Sequence, residues 1–249
     1  MIRCYLSPER WGEGEIGLTG PEARHLSRVL RVSPGDEIVC SNGMGQEAPA
    51  KVLHVSPQQV LLSVGPSRAL PESSFRLTLA VGVPGQGKLD EIVSQATQMG
   101  VHRILPLVTE RTVVPEAAAA SDRKLERLRR IAIEAIKQSG SGRIPEIQPA
   151  CSYEALLPRF SQYDRILLAS VEGPWEPLPL ILQSVCTDPL LLVGPEGDFS
   201  PREIEQAVQN GARLFSLGPT VLRCETACVA AVSLLSYLLR KFPPASLDK

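Results

Sequence analysis

An alternation that begins at Phe75 constrains this chain more than any other feature. Short apolar runs trade places with segments whose apolar residues recur at helical spacing. The order is "FRLTLAVGV" (75–83), a helix over 88–99, "RILPLV" (103–108), a helix over 121–138, "RILLAS" (165–170), "PLLLVG" (189–194), a helix over 201–210, "RLFSLG" (213–218) and a helix over 225–241. Strands that alternate with helices predict an α/β domain built on a mostly parallel sheet, with helices on both faces. Ser200-Pro201-Arg202-Glu203 reads as a capping box with proline at the first helical position, and Gly211 suits the helix end. The tail "FPPASLDK" is expected to fray.

Residues 1–70 follow another pattern and are expected to form a small β-rich unit. "IRCYL", "DEIVCSN", "APAKVLHV" and "QVLLSVG" are strand-like, with turn signals such as Ser33-Pro34-Gly35-Asp36 between them and one helix over 21–31. The prolines and serines of "GPSRALPESS" (65–74) suggest a linker, which sets a second domain at 75–249. Internal repeats are not evident. No apolar run approaches the ~20 residues that span a bilayer, and the start "MIRCYLSPERWGEGE" lacks the apolar core of a signal peptide. A soluble, cytoplasmic protein without membrane contact is expected. The six cysteines are scattered, with no CxxC pair and no histidine nearby, so no metal site is expected. Cys224 and Cys228 share a helix face and read as small buried hydrophobes.

The formal net charge of −1 argues against a general polyanion binder and leaves local patches. "EARHLSRVLR" sets Arg24, Arg28 and Arg31 on one side of a short helix and Leu26, Val29 and Leu30 on the other. "DRKLERLRRIAIEAIKQ" carries Arg123, Lys124, Arg127, Arg129 and Arg130. Either patch also suits a solvated helix face.

Gly82, Gly87 and Lys88 have the G-x-x-x-x-G-K spacing of a phosphate-binding loop, between a strand and a helix. Three features count against a nucleoside triphosphatase. The position after the lysine is Leu89 rather than the Ser or Thr that holds magnesium. No aspartate ends a second apolar strand, and Pro84 removes a backbone donor from the loop. A G-x-G-x-x-G dinucleotide fingerprint is also missing, and no Ser-His-Asp set is persuasive.

Ligands of such sheets bind beyond the carboxyl ends of the strands. There the chain has "ASVEG", "GPEGDF" and "LGPTVLRCETA". The pair "LLLVGPEGDFSPREIEQAV" and "LFSLGPTVLRCETACVAAVSLL" closely resembles the bacterial 16S ribosomal RNA (uracil-N3)-methyltransferase family, of the knotted SPOUT class. Its marks here are Gly194-Pro195-Glu196-Gly197-Asp198, Leu217-Gly218, Leu222-Arg223 and Glu225-Thr226-Ala227. "RHLSRVLR", "KLDEIVSQATQMGV" and "EAIKQSGSGRIPEI" extend the resemblance along the whole chain.

The resemblance implies an N-terminal, β-barrel-like PUA domain that binds RNA, and a deep trefoil knot at about 165–240. It implies a homodimer that acts on 16S rRNA in the decoding region of the small ribosomal subunit, with S-adenosylmethionine as methyl donor and no metal. The donor would be held by Leu168, Ala169 and Ser170, by Gly194, Pro195, Glu196 and Gly197, and by Leu217, Gly218, Val221, Leu222 and Cys224. Arg24, Arg28, Arg31, Lys88 and Arg143 would contact RNA. Methylation at N3 needs the N3 proton removed or the negative charge on the uracil stabilised. Arg223 is the candidate cation, and Glu225 and Glu196 are candidate bases; a helix-start role for Glu225 and a loop-bracing role for Glu196 stay open. Asp198, Cys224, Gln98 and Ser141 depart from the family's usual residues. A chain of this fold that binds RNA without catalysis, such as a ribosome-assembly factor, is the competing expectation.

Overall fold

A computed structural model describes residues 1–56, 58–85, 87–113 and 119–240, so the tail after Arg240 lies outside the described residues. The chain divides into two compact units, Met1–Glu72 with Ala132–Ile144, and Ser73–Ile131 with Pro145–Lys249.

The first unit is a sheet of β1 (Ile2–Tyr5), β2 (Gly14–Thr19), β3 (Glu37–Ser41), β4 (Gln46–Val55), β5 (Gln59–Val64) and β6 (Arg68–Ala69). The order is β1-β3-β4-β5-β2, and β6 pairs with β4. Alternation builds its core. In β4, Ala48, Ala50 and Val52 are buried while Pro49, Lys51 and Leu53 face outward.

This unit has a strand beyond those expected, β2, and two expectations for it need correction. Strand β2 was not foreseen; it offers only Ile16 and Leu18 as alternating apolar residues, and Gly17 lies where a Cβ would come 2.6 Å from Gln59 Nε2. The stretch 65–74 is not simply a linker, because Arg68–Ala69 pairs with β4 and Arg68 forms an ion pair with Glu47. The helix over 21–31 is an α-helix at Gly20–Arg24 that widens into a π turn at His25–Val29. The wider turn rotates the apolar face: Leu26 is buried, but Val29 is 66% and Leu30 37% exposed beside the arginines. Lys137 is nearly buried and donates to Glu22 (3.0 Å) and Glu134 (2.7 Å).

The second unit has a sheet of β7 (Thr78–Gly82), β8 (Arg103–Val108), β9 (Glu146–Ile147), β10 (Cys151–Ser152), β11 (Arg165–Ala169), β12 (Pro189–Val193) and β13 (Arg213–Phe215). The order is β10-β8-β7-β12-β11-β13, with β9 beside β8, and every pair is parallel. The central strands β7 and β12 are buried along their whole length, as expected of a sheet covered on both faces. Leu190 and Leu192 join one core cluster with Phe199, Ala207 and Tyr153. Helix Cys224–Leu239 packs against β12 and against helix Lys88–Gln98. The latter buries Leu89, Ile92, Val93 and Ala96, each of the larger three worth roughly 1.5–3 kcal/mol. Helix Pro201–Gln209 has the expected capping box between Ser200 and Glu203. No helix among the described residues is long and apolar enough to cross a membrane.

Candidate active site

Parallel pairing brings four strand ends into line. Ala169 of β11 pairs with Val193 of β12 and Phe215 of β13, and Val193 pairs with Val81 of β7. The loops after β11, β12 and β13 leave from this edge and enclose a cavity of about 160 Å³.

The expected residues Ala169, Ser170, Gly194, Pro195 and Glu196 line the cavity, as do Leu217, Gly218, Val221, Leu222 and Cys224. Two expected residues lie elsewhere. Leu168 is wholly buried in the sheet core. Gly197 is outside the lining, and its carbonyl accepts from Arg111 Nη1 at 2.6 Å. Arg223 falls between the lining residues Leu222 and Cys224, and Glu225 follows. The lining also holds residues that were not expected there, among them Val171, Trp175, Val193 and Ser216. The Trp175 indole is half exposed and donates to the Ser170 carbonyl at 3.1 Å. An aromatic beside a strand-end loop was its only signal.

The second loop is held by the loop that resembles a phosphate binder. Gly82 ends β7, and a Cβ there would lie 2.4 Å from both the nitrogen and Cδ of Pro195. The missing side chain therefore lets the loop after β12 lie directly on the end of β7. The Gly85 amide and Lys88 Nζ both donate to Glu196 Oε1, at 3.0 and 2.9 Å. Partial burial pushes the Glu196 carboxyl upward, but these bonds and one from its own amide outweigh that and hold it below the usual carboxylate range. Its hydrogen bond to Glu196 likewise raises the Lys88 ammonium; Glu225 adds to this and Arg223 opposes it. Lys88, expected at RNA, is thus bound to Glu196 within a charged group that includes Arg223 and Glu225.

The third loop turns at Gly218, whose φ of 124° is closed to most side chains. It runs into helix Cys224–Leu239, whose N-cap residue, Arg223, makes no side-chain cap bond. The first amides of that helix are then available to an acceptor. Glu225 Oε2 is shielded from solvent and makes no hydrogen bond among the described residues. In the other unit, Arg24, Arg28 and Arg31 are exposed. Arg143 is also exposed and pairs with Glu72 at 3.1 Å.

The comparisons with known proteins fit this arrangement. Residues 71–236 match the family model described as an RNA methyltransferase domain, and residues 18–65 match one described as an RNA methyltransferase PUA domain. Fold and loops define the class, and the chain belongs to this RNA methyltransferase family. Within it, the chain's relatives include proteins named ribosomal RNA small subunit methyltransferase E. That of Aquifex aeolicus is 37% identical over 236 residues, covering 94% of this chain and 99% of its own. That of Bacillus subtilis is 32% identical over 232 residues, covering 89% and 90%. Among solved structures, the Neisseria gonorrhoeae methyltransferase E bound to S-adenosyl methionine superposes with a TM-score of 0.84 at 26% identity, covering 98% of this chain and 100% of that one. A Legionella pneumophila methyltransferase with bound SAM gives 0.81 at 27% identity, covering 95% and 97%.

Proposed function

We propose that this chain transfers a methyl group from S-adenosylmethionine to N3 of a uridine in the decoding region of 16S ribosomal RNA. The observation that carries the reading is the cavity at the aligned strand ends, with apolar walls, glycine-shaped backbone and an uncapped helix start. The names of the relatives support small-subunit ribosomal RNA as the substrate, and the two liganded structures support the donor.

The residues present fit such a donor. Val193, Leu217 and Leu222 would supply apolar surface that excludes water, and the amides at the start of helix Cys224–Leu239 would donate to acceptor atoms of the bound molecule. When bound, S-adenosylmethionine supplies an electrophilic methyl group on a sulfonium. The chain's own work is to position the base and manage one proton. Uracil N3 lies on the Watson–Crick edge, so the nucleotide must be unpaired or flipped out. Arg223 stabilises the negative charge that grows on the uracil oxygens, and Glu225 takes the N3 proton. Glu196 is a poor base, because Lys88 and the loop amides stabilise its charged form; it acts as a brace.

In this reading residues 1–70 bind RNA through Arg24, Arg28 and Arg31, with Arg143 adding to the contact, and residues 75–249 transfer the methyl group. The knot at about 165–240 belongs to the proposal, supported by the placement of β11 between β12 and β13. So do a cytoplasmic location and a homodimer, the latter supported by the exposed Leu234 and Leu238 on the last helix. Calorimetry tests the core of it: S-adenosylmethionine should bind at micromolar concentration and ATP should not. No binding of the methyl donor at millimolar concentration would sink the reading.

A further inference from the structure

We infer that Asp198 makes the cavity selective for a cationic methyl donor over its neutral thioether product. The inference rests on the methyl-donor reading above and adds a charge rule to it. Asp198 has a φ of 59°, a positive value shared by only one other non-glycine residue among those described, Arg31. A short carboxylate side chain tolerates that conformation by bonding nearby amides. Here Oδ1 accepts from the Phe199 amide at 2.8 Å and Oδ2 from the Val171 amide at 3.3 Å. The second bond ties the loop after β12 to the loop after β11 and fixes the carboxylate in the lining of the cavity.

The charges of the lining do not cancel. Its described residues include two carboxylates, Glu196 and Asp198, and no lysine or arginine. The Glu196 charge is offset by Lys88 at 2.9 Å. Asp198 has backbone amides but no ion pair among the described residues. A carboxylate has room for about four hydrogen bonds, so it also keeps free acceptor capacity. A negative charge left over in a partly apolar cavity favours a cation there. Methyl transfer leaves the carbon–sulfur bonding pair on sulfur, so the spent donor is one positive charge poorer. Asp198 then favours entry of the donor and exit of the product, as a specificity-determining residue rather than a reactive one.

The test is calorimetry of wild type, Asp198→Asn and Asp198→Gly with S-adenosylmethionine and with S-adenosylhomocysteine. Circular dichroism checks that each variant is folded, and glycine is relaxed at this φ. Both variants should bind S-adenosylmethionine about five- to tenfold more weakly, with S-adenosylhomocysteine weakened clearly less, so that the preference for the donor falls. Added salt should weaken donor binding more in wild type than in Asp198→Asn. A preference that stays at the wild-type ratio, whether affinities hold or both weaken alike, overturns the inference and makes Asp198 a loop brace. Wild type that binds neither ligand overturns the methyl-donor reading itself, a distinct result.

Discussion

The loop after β7 (82–88) and the loop after β12 (194–198) leave adjacent strands and draw on the same residue types: glycine, proline and charge. In the first, Gly82 gives up its side chain to Pro195, and Gly85 and Lys88 give their hydrogen bonds to Glu196. In the second, Gly194, Pro195, Glu196 and Asp198 line the cavity. Two donors that a triphosphate would use in the first loop, the Gly85 amide and the Lys88 ammonium, are committed to the second. A motif's spacing is therefore weaker information than the partners its groups have.

Gly82→Ala should separate the two loops most strongly. Its Cβ would press on the Pro195 backbone, which cannot yield as a flexible side-chain tip can. The substitution should destabilise the protein by about 1–3 kcal/mol and weaken S-adenosylmethionine binding at least about tenfold, read by thermal unfolding and calorimetry. Donor binding at wild-type strength would detach the first loop from the second. Arg223→Ala should lower methyl incorporation by about tenfold or more, with donor affinity and fold intact; a wild-type rate would remove Arg223 from the chemistry. Arg111→Ala frees the Gly197 carbonyl and should weaken donor binding by only about three- to fivefold, since other bonds still hold the loop.

The Lys88–Glu196 brace should have the smallest effect, because both side chains are partly exposed. Its sign is fixed. The Glu196 carboxyl lies below its ordinary value in the folded chain, so its contribution is present above the ordinary carboxylate range and fades as pH falls through the lowered value. Acid titration of donor affinity should thus show a small loss in wild type that Glu196→Gln lacks. Equal profiles would mean that the brace does not reach the cavity.

Much of this was legible in the sequence because it is local. The alternation after Phe75, the capping box at Ser200 and the two strand-end motifs each depend on residues near one another. Pairing across the chain was not legible. Lys88 and Glu196 are 108 positions apart, and Arg111 and Gly197 are 86 apart, so no periodicity or spacing joins them. Leu168 reads like its neighbour Ala169, yet strand alternation turns it into the core, away from the cavity. The π turn after Arg24 likewise exposes Val29 and Leu30, which an ideal helix would have turned inward.

Methylation of uracil N3 at the strand-end cavity, the function proposed above, has a direct product. Unmodified small ribosomal subunits, incubated with the protein and methyl-labelled S-adenosylmethionine, should yield labelled 3-methyluridine on digestion and mass spectrometry of the nucleosides. Label in any other nucleoside, or none where an authentic enzyme succeeds on the same subunits, would contradict it.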